Sequence, residues 1–156
     1  MPRPTIGIER VVQAGLMQDK RGPPMEPSKS NYGKTALLAS MSAAAGQKAR
    51  SSWEAAAHSV LSQSRAVETK SCPRNAFLGL AYSGALVGVA QDKRRAIGLN
   101  GKYALTAVKV LRASPESHWD PKGLWKEVAG SNLKHNSQMH VVLALWNAQR
   151  IKGTAA

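Results

Sequence analysis

The chain has 156 residues, of which 43% are hydrophobic, and 22 Lys and Arg against nine Asp and Glu give a formal net charge of +13 at pH 7. This length is typical of one compact domain, and the hydrophobic fraction is sufficient for a core. The single cysteine excludes an intramolecular disulfide and a zinc site built from several cysteines. Because no apolar run reaches the roughly 18 residues of a membrane span and no secretory signal is evident, we expect a soluble cytoplasmic protein.

The first 30 residues predict a basic, proline-rich arm that is disordered or extended. Five of the eight prolines fall within the first 27 residues, and prolines at this density disfavour regular structure. Within the arm, Val11–Met17 is apolar enough to form a docking helix or strand. The compact domain is expected to extend over residues 31–151.

Hydrophobic residues recur at helical spacing through this domain. The six predicted helices begin near Tyr32, Ser51, Cys72, Tyr103, Asp120 and Asn136. Ser51 and Glu54 have the spacing of a capping box, and Asp120 precedes a proline suited to a first helical position. Residues 90–101 are expected to form a basic loop, and residues 86–89 an apolar link or a turn of helix. No stretch alternates like a strand, so we predict an all-α protein of about six helices in one compact bundle.

The six helices also align as two sets of three. Tyr32 aligns with Tyr103, and Trp53 aligns with Trp125. A duplication would relate residues 31–84 to residues 102–151 by a pseudo-twofold axis. Amphipathic helices resemble one another by chance as well, and both explanations stay open at this point.

Two segments resemble an uncharacterised bacterial family of unknown function: Ser71–Leu80 (SCPRNAFLGL) and His135–Asn147 (HNSQMHVVLALWN). Tyr103–Leu105 and Leu124–Trp125 belong to the same resemblance, which extends over about residues 31–151. Where that family carries an acidic pair, this chain has residues 81–83 as Ala-Tyr-Ser, which argues against any acid-dependent role there. The family has no established activity, so the resemblance implies a shared fold and no chemistry.

Cys72 is the candidate nucleophile, and no other catalytic residue is predicted. It is expected at a helix N-terminus between Lys70 and Arg74, where the helix dipole and the positive charges favour a thiolate. The histidines that could serve as a general base are His58, His135 and His140. No nucleophile–base spacing is evident, and the alternative is a thiol that packs or caps the helix.

The sequence predicts neither a metal site nor a cofactor. The four histidines include no pair four residues apart, and carboxylates are few. Neither Asn100–Lys102 nor Gly33–Thr35 has the spacing of a phosphate-binding loop, although each could hold a phosphate at the start of a helix. The polar segment His135–Gln138 is either a recognition surface or a structural cap in which Asn136 begins the last helix.

The excess of basic residues favours a polyanionic partner, although it also keeps a protein soluble. The most concentrated basic patch is Lys93–Arg95 with Lys102 nearby. The residues predicted to contact phosphate are Lys93, Arg94, Arg95, Lys102, Lys34 and Arg74. Because aromatic residues make up only 5% of the chain, we expect phosphate contact rather than base stacking. This hypothesis requires the cations to gather on one face and not to be locked in local ion pairs.

The first hypothesis is therefore a non-enzymatic helical protein that binds DNA or RNA. An alternative is an inhibitor or adaptor of the kind found in phages and mobile elements (anti-CRISPR-like), which binds a nucleic-acid-processing protein complex. A third is a thiol enzyme that uses Cys72. The expected partner is nucleic acid or an acidic protein surface, and no membrane contact is expected.

Overall fold

The computed structural model describes residues 30–62, 65–130 and 133–153, and these residues form an all-α bundle. Its helices are α1 (Asn31–Ala44), α2 (Ala49–Val60), the single turn α3 (Arg65–Glu68), α4 (Ser71–Tyr82), α5 (Leu99–Ala113), α6 (Pro121–Ala129) and α7 (Gln138–Asn147). The six helices longer than one turn confirm the predicted fold class. The predicted arm, with its Val11–Met17 segment, lies outside the described residues except for Ser30.

Helix α7 forms the centre of the bundle. Residues 141–145 are all buried, so this helix is enclosed around its whole circumference. It packs against α1, α4, α5 and α6. A helix that is apolar on every face is stable only when other helices cover it, which explains why the amphipathic helices surround α7.

Helices α4 and α5 cross in direct backbone contact. A Cβ atom added to Gly101 would lie 2.9 Å from the Cα atom of Gly79, and one added to Gly79 would overlap the Cα atom of Gly101. Only glycine allows two helix backbones to approach this closely. The crossing therefore holds the start of α5 against the side of α4.

The long connection between α4 and α5 is anchored to the C-terminal segment. Leu86 and Ile151, both fully buried, form an isolated antiparallel bridge. The amide of Val87 donates to the carbonyl of Arg150, and the amide of Lys152 donates to the carbonyl of Ala85, each at 2.8 Å. Residues 86–89 are thus a bridged link and not a turn of helix.

Two helices begin earlier than their sequences predict. Helix α2 begins at Ala49, so Ser51 and Glu54 lie inside it, and Glu54 pairs with Arg50 one turn away at 3.2 Å. Helix α5 begins at Leu99, after Gly98 in extended backbone, which shortens the predicted basic loop. The predicted start of α6 is confirmed, because the Asp120 carboxylate accepts a hydrogen bond from the amide of Gly123.

The pairing of helices has the pattern that a pseudo-twofold axis requires. Such an axis would relate α1 to α5, α2 to α6 and α4 to α7. The contact of α1 with α2 then corresponds to that of α5 with α6, and the contact of α1 with α7 to that of α5 with α4. The contact of α2 with α4 corresponds to that of α6 with α7. The exception is the contact of α5 with α7, because the counterparts of these two helices, α1 and α4, have little or no contact. The internal duplication stays a prediction.

Candidate nucleic-acid interface

An open groove of about 840 Å³ lies where α1 ends, α2 begins and α4 ends. It is lined by the turn between α1 and α2, the first turn of α2, the last residues of α4 and loop residues 88–90, 92, 94 and 95. A second cavity of about 250 Å³, next to the start of α5, shares Arg50, Tyr82 and Arg95 with the first. We refer to the two cavities together as the basic groove.

Four cationic side chains and two carboxylates line the basic groove. The cations are Lys48, Arg50, Arg94 and Arg95, and the carboxylates are Glu54 and Asp92. The lining therefore keeps an excess of two positive charges. Because the cations come from two segments that are distant in sequence, the fold is what brings them together.

Asp92 holds the basic loop in place. Its amide donates to the carbonyl of Tyr82 at 2.9 Å, and its Oδ1 accepts from the amide and the Nε of Arg94 at 3.1 and 3.2 Å. These hydrogen bonds lower the pKa of the Asp92 carboxyl below its ordinary value. Asp92 therefore stays ionised and orients Arg94.

The ion pairs of this loop do not neutralise its arginines. Arg95 lies at the edge of ion-pair range, with its Nε 3.9 Å from the Asp92 Oδ2. The side chains of Arg94 and Arg95 are 91% and 61% exposed, and one carboxylate is shared between two guanidinium groups. Exposed pairs of this kind contribute little to stability and exchange readily with other anions. Both arginines consequently remain accessible to a ligand.

The start of α2 adds to the positive potential of the groove. Its N-cap residue, Lys48, makes no side-chain hydrogen bond to the first turn, so the amides there lack a side-chain acceptor. Arg50 lies in the same turn and pairs with Glu54, but both side chains are more than half exposed. Helix N-termini carry a partial positive charge, which favours anions at this position.

Tyr82 is the aromatic wall of the basic groove. It is the last residue of α4, it is half-buried, and it lines both cavities. The guanidinium carbon of Arg95 lies 5.9 Å from the centre of its ring. Tyr82 also belongs to the Ala-Tyr-Ser stretch that replaces an acidic pair, so this wall is aromatic where the resemblance implies negative charge.

The structure separates the six residues that the sequence predicts to contact phosphate. Arg94 and Arg95 line the groove, whereas Lys93, in the same loop, and Lys102, in α5, are exposed outside its lining. Lys34 lies in the first turn of α1, at the opposite end of that helix from the groove. Arg74 lies in the first turn of α4, next to Asn75, which lines the smaller cavity, but Arg74 itself lines neither cavity.

Sequence reasoning missed Lys48 and Arg50. Both precede the predicted start of α2 at Ser51, in a stretch without a predicted element. The sequence does contain two basic residues just before the helical pattern. Because the helix begins two residues earlier than predicted, both of them lie at its N-terminus.

Cys72 is a half-buried free thiol in the first turn of α4. No hydrogen bond joins its sulfur to a histidine within the part of the chain that the structure describes. His58 instead contacts Glu68 at 3.2 Å, and the rings of His135 and His140 stack at 5.3 Å. The thiol-enzyme hypothesis therefore stays a prediction, and no histidine is hydrogen-bonded to the Cys72 sulfur as a general base would be.

The polar segment before α7 has a structural role. Ser137 and not Asn136 is the N-cap residue, in left-handed backbone with φ of 71°, and the His135 Nε2 accepts the amide of Met139 at 3.1 Å. The buried Gln138 donates to the Asn100 Oδ1 at 3.0 Å, which ties α7 to the start of α5. These contacts occupy the Nε2 of His135 and the side-chain amide of Gln138.

Residues 30–62, 65–130 and 133–153 contain neither a metal-binding cluster nor a membrane-spanning helix. No group of three or more His, Cys, Asp or Glu side chains in these ranges is arranged to hold a metal ion. No helix in them combines the length and the hydropathy that a bilayer crossing requires.

Comparison with curated proteins and with solved structures finds no match. The sequence profile of a family of unknown function, DUF6979, matches residues 29–152. This match spans every helix described above and the whole basic groove, and it confirms the resemblance seen in the sequence. The chain therefore belongs to DUF6979, a family of unknown function.

Proposed function

We propose that this protein is a non-enzymatic nucleic-acid-binding protein that holds phosphates in the basic groove. The observation that supports the proposal is the convergence of Lys48, Arg50, Arg94 and Arg95 on one open groove. A scatter of the same cations over the surface would give solubility alone.

The chemistry of the groove suits phosphodiesters. Guanidinium groups bind phosphate oxygens through two parallel hydrogen bonds, and three of the four cations are arginines. The unfilled amides at the start of α2 add donors of the kind that bind phosphate elsewhere. Arg94 and Arg95 can turn from Asp92 to a phosphate at little cost, because their pairs are exposed.

The charge of the whole chain supports the same partner. The net charge of +13 attracts polyanions over a distance and raises their rate of association. The groove then supplies the short-range contacts that hold the ligand.

The test is a fluorescence-anisotropy titration of a labelled oligonucleotide at several salt concentrations. We expect binding at low salt that weakens linearly on a logarithmic scale, because each neutralised phosphate releases counterions. Arg50→Ala and Arg95→Ala should each reduce the slope by about 0.7–0.9, the value of a single phosphate contact.

The matched control is Lys109→Ala, which removes the same charge from an exposed position of α5 outside the groove. It should leave the slope nearly unchanged. The proposal is wrong if no oligonucleotide binds even at low salt, or if the control lowers the slope as much as the two groove variants. Displacement of the oligonucleotide by polyglutamate at an equal charge concentration would instead support an acidic protein surface as the partner.

A further inference from the structure

We infer that the ligand of the basic groove is single-stranded nucleic acid, with one base stacked on the ring of Tyr82. This inference rests on the proposed function and adds to it the form of the strand and the residue that holds the base. It also revises the expectation from composition that stacking has little part in binding.

The fold places one aromatic ring at the centre of the cationic lining. Among the described residues that line the groove, Tyr82 is the only aromatic one, and it is shared by both cavities. Its carbonyl accepts the amide of Asp92, so the ring and the basic loop are held together. An aromatic platform flanked by cations is the arrangement that binds successive nucleotides of a single strand.

Arg95 lies close enough to the Tyr82 ring to enclose a base against it. Its guanidinium carbon is 5.9 Å from the ring centre, and a base held between the two groups needs about 7 Å, twice the usual contact distance of about 3.5 Å. Arg95 would therefore have to move outward to admit a base. It is free to do so, because its side chain is 61% exposed and its ion pair with Asp92 is long. Bases of single strands stack on both aromatic rings and guanidinium planes.

The size of the groove favours a single strand over a duplex. The larger cavity, of about 840 Å³, is within the range of small-ligand sites, roughly 300–1,000 Å³, and with the smaller one of about 250 Å³ it has room for a few nucleotides of a single strand, whereas a double helix could lie only across its mouth. A base must also leave its stack to reach Tyr82. A duplex has to break a base pair for this, whereas a single strand does not.

The experiment compares three labelled ligands of about 12 units, a length within the range of single-strand binding sites. They are oligothymidylate, an abasic strand with the same phosphates and no bases, and a duplex. At equal salt, we expect oligothymidylate to bind the wild-type protein at least about fivefold more tightly than the abasic strand. Tyr82→Phe should keep this preference and Tyr82→Leu should abolish it, while both variants keep the salt slope.

A direct measurement on the wild-type protein avoids any effect of Tyr82 substitutions on folding. The chain has only three tyrosines, so their ring proton signals are readily assigned by NMR. Oligothymidylate should shift the Tyr82 signals upfield through the ring current of a stacked base, and leave those of Tyr32 and Tyr103 unchanged. The abasic strand should cause no such shift.

The outcomes separate the two proposals. Equal binding of oligothymidylate and the abasic strand, or tighter binding of the duplex, overturns the inference and leaves the proposed function standing. Absence of binding by all three ligands at low salt overturns both. Tighter binding of oligothymidylate together with unshifted Tyr82 signals also overturns the inference, because the bases are then read elsewhere.

Discussion

Among single residues, Gly79 carries the most stringent packing constraint on the groove's framework. The expected result of Gly79→Ala is a loss of about 1–3 kcal/mol or more of unfolding free energy, because the new methyl group overlaps the backbone of Gly101 and α4 must move from α5. Urea unfolding at fixed pH measures this. Gly98→Ala is the matched control, since its Cβ meets no atom within 4 Å, and it should cost about 1 kcal/mol at most as an N-cap change. Equal stability of the two variants would contradict the crossing described here.

His135 makes the stability of the fold depend on pH. Its Nε2 accepts the amide of Met139, and burial, followed by the charges of His140 and Lys70, lowers the pKa of His135 to about 4 from its ordinary 6.5. Burial also lowers the pKa of His140. The folded state therefore holds both rings neutral, whereas the unfolded chain binds protons near pH 6.5.

The sign of the effect follows from these pKa directions. The unfolding free energy should be highest above pH 6.5 and should fall as the pH decreases from there to about 4, because the unfolded state gains protons first. Urea unfolding at several pH values measures this. His135→Gln should flatten the profile, and His118→Gln, at an exposed position, should leave it unchanged. A profile for the His135 variant as steep as that of the wild type would show that other groups govern the acid range.

Between helices, the hydrogen bond of Gln138 to Asn100 joins α7 to α5. Gln138→Leu removes this bond from a buried position and leaves the Asn100 amide oxygen without its partner, so we expect a loss of about 1–3 kcal/mol. A double-mutant cycle with Asn100→Ala measures the pair, and a coupling of about 0.5 kcal/mol or more is expected. Additive losses would mean that the two side chains act independently.

The sequence predicts a helix wherever the apolar face of that helix is regular. It does not predict the first residue of a helix when no side chain caps the first turn. Asp120 marks the start of α6 in the sequence, because its carboxylate accepts a hydrogen bond from an amide of the first turn. Lys48 and Gly98 precede α2 and α5 without any side-chain cap, so only the tertiary structure shows where those helices begin. The close approach of Gly79 and Gly101, which sets the position of α5, has no pattern within either helix.

Only part of the candidate site could be predicted from the sequence, because local patterns do not show which segments the fold brings together. Arg94 and Arg95 stand out because the positive charge is concentrated within one short segment. Lys48, Arg50 and Tyr82 join them only through the packing of α2 and α4 around the loop, and no local periodicity encodes this meeting. The excess of positive charge in the sequence thus predicts a polyanionic partner, and only the fold predicts which surface would bind it.

For the molecule as a whole, the question is whether net charge or the groove governs binding. The double variant Arg95→Ala with Glu127→Gln keeps the wild-type net charge, because one cation and one carboxylate are removed. Glu127 is exposed on α6, which packs on α5 and α7 and does not line the groove. If net charge governs binding, this variant binds an oligonucleotide as the wild type does.

We expect the double variant to bind as weakly as Arg95→Ala alone. At physiological ionic strength charges are screened beyond about 8 Å, so the more positive surface outside the groove should not replace the guanidinium group that we propose to bind a phosphate inside it. Anisotropy titrations of the wild type, the two single variants and the double variant at that ionic strength decide between the alternatives. Restored affinity in the double variant would show that long-range attraction alone governs binding, whereas an unrestored affinity places part of the binding energy in the Arg95 side chain of the groove.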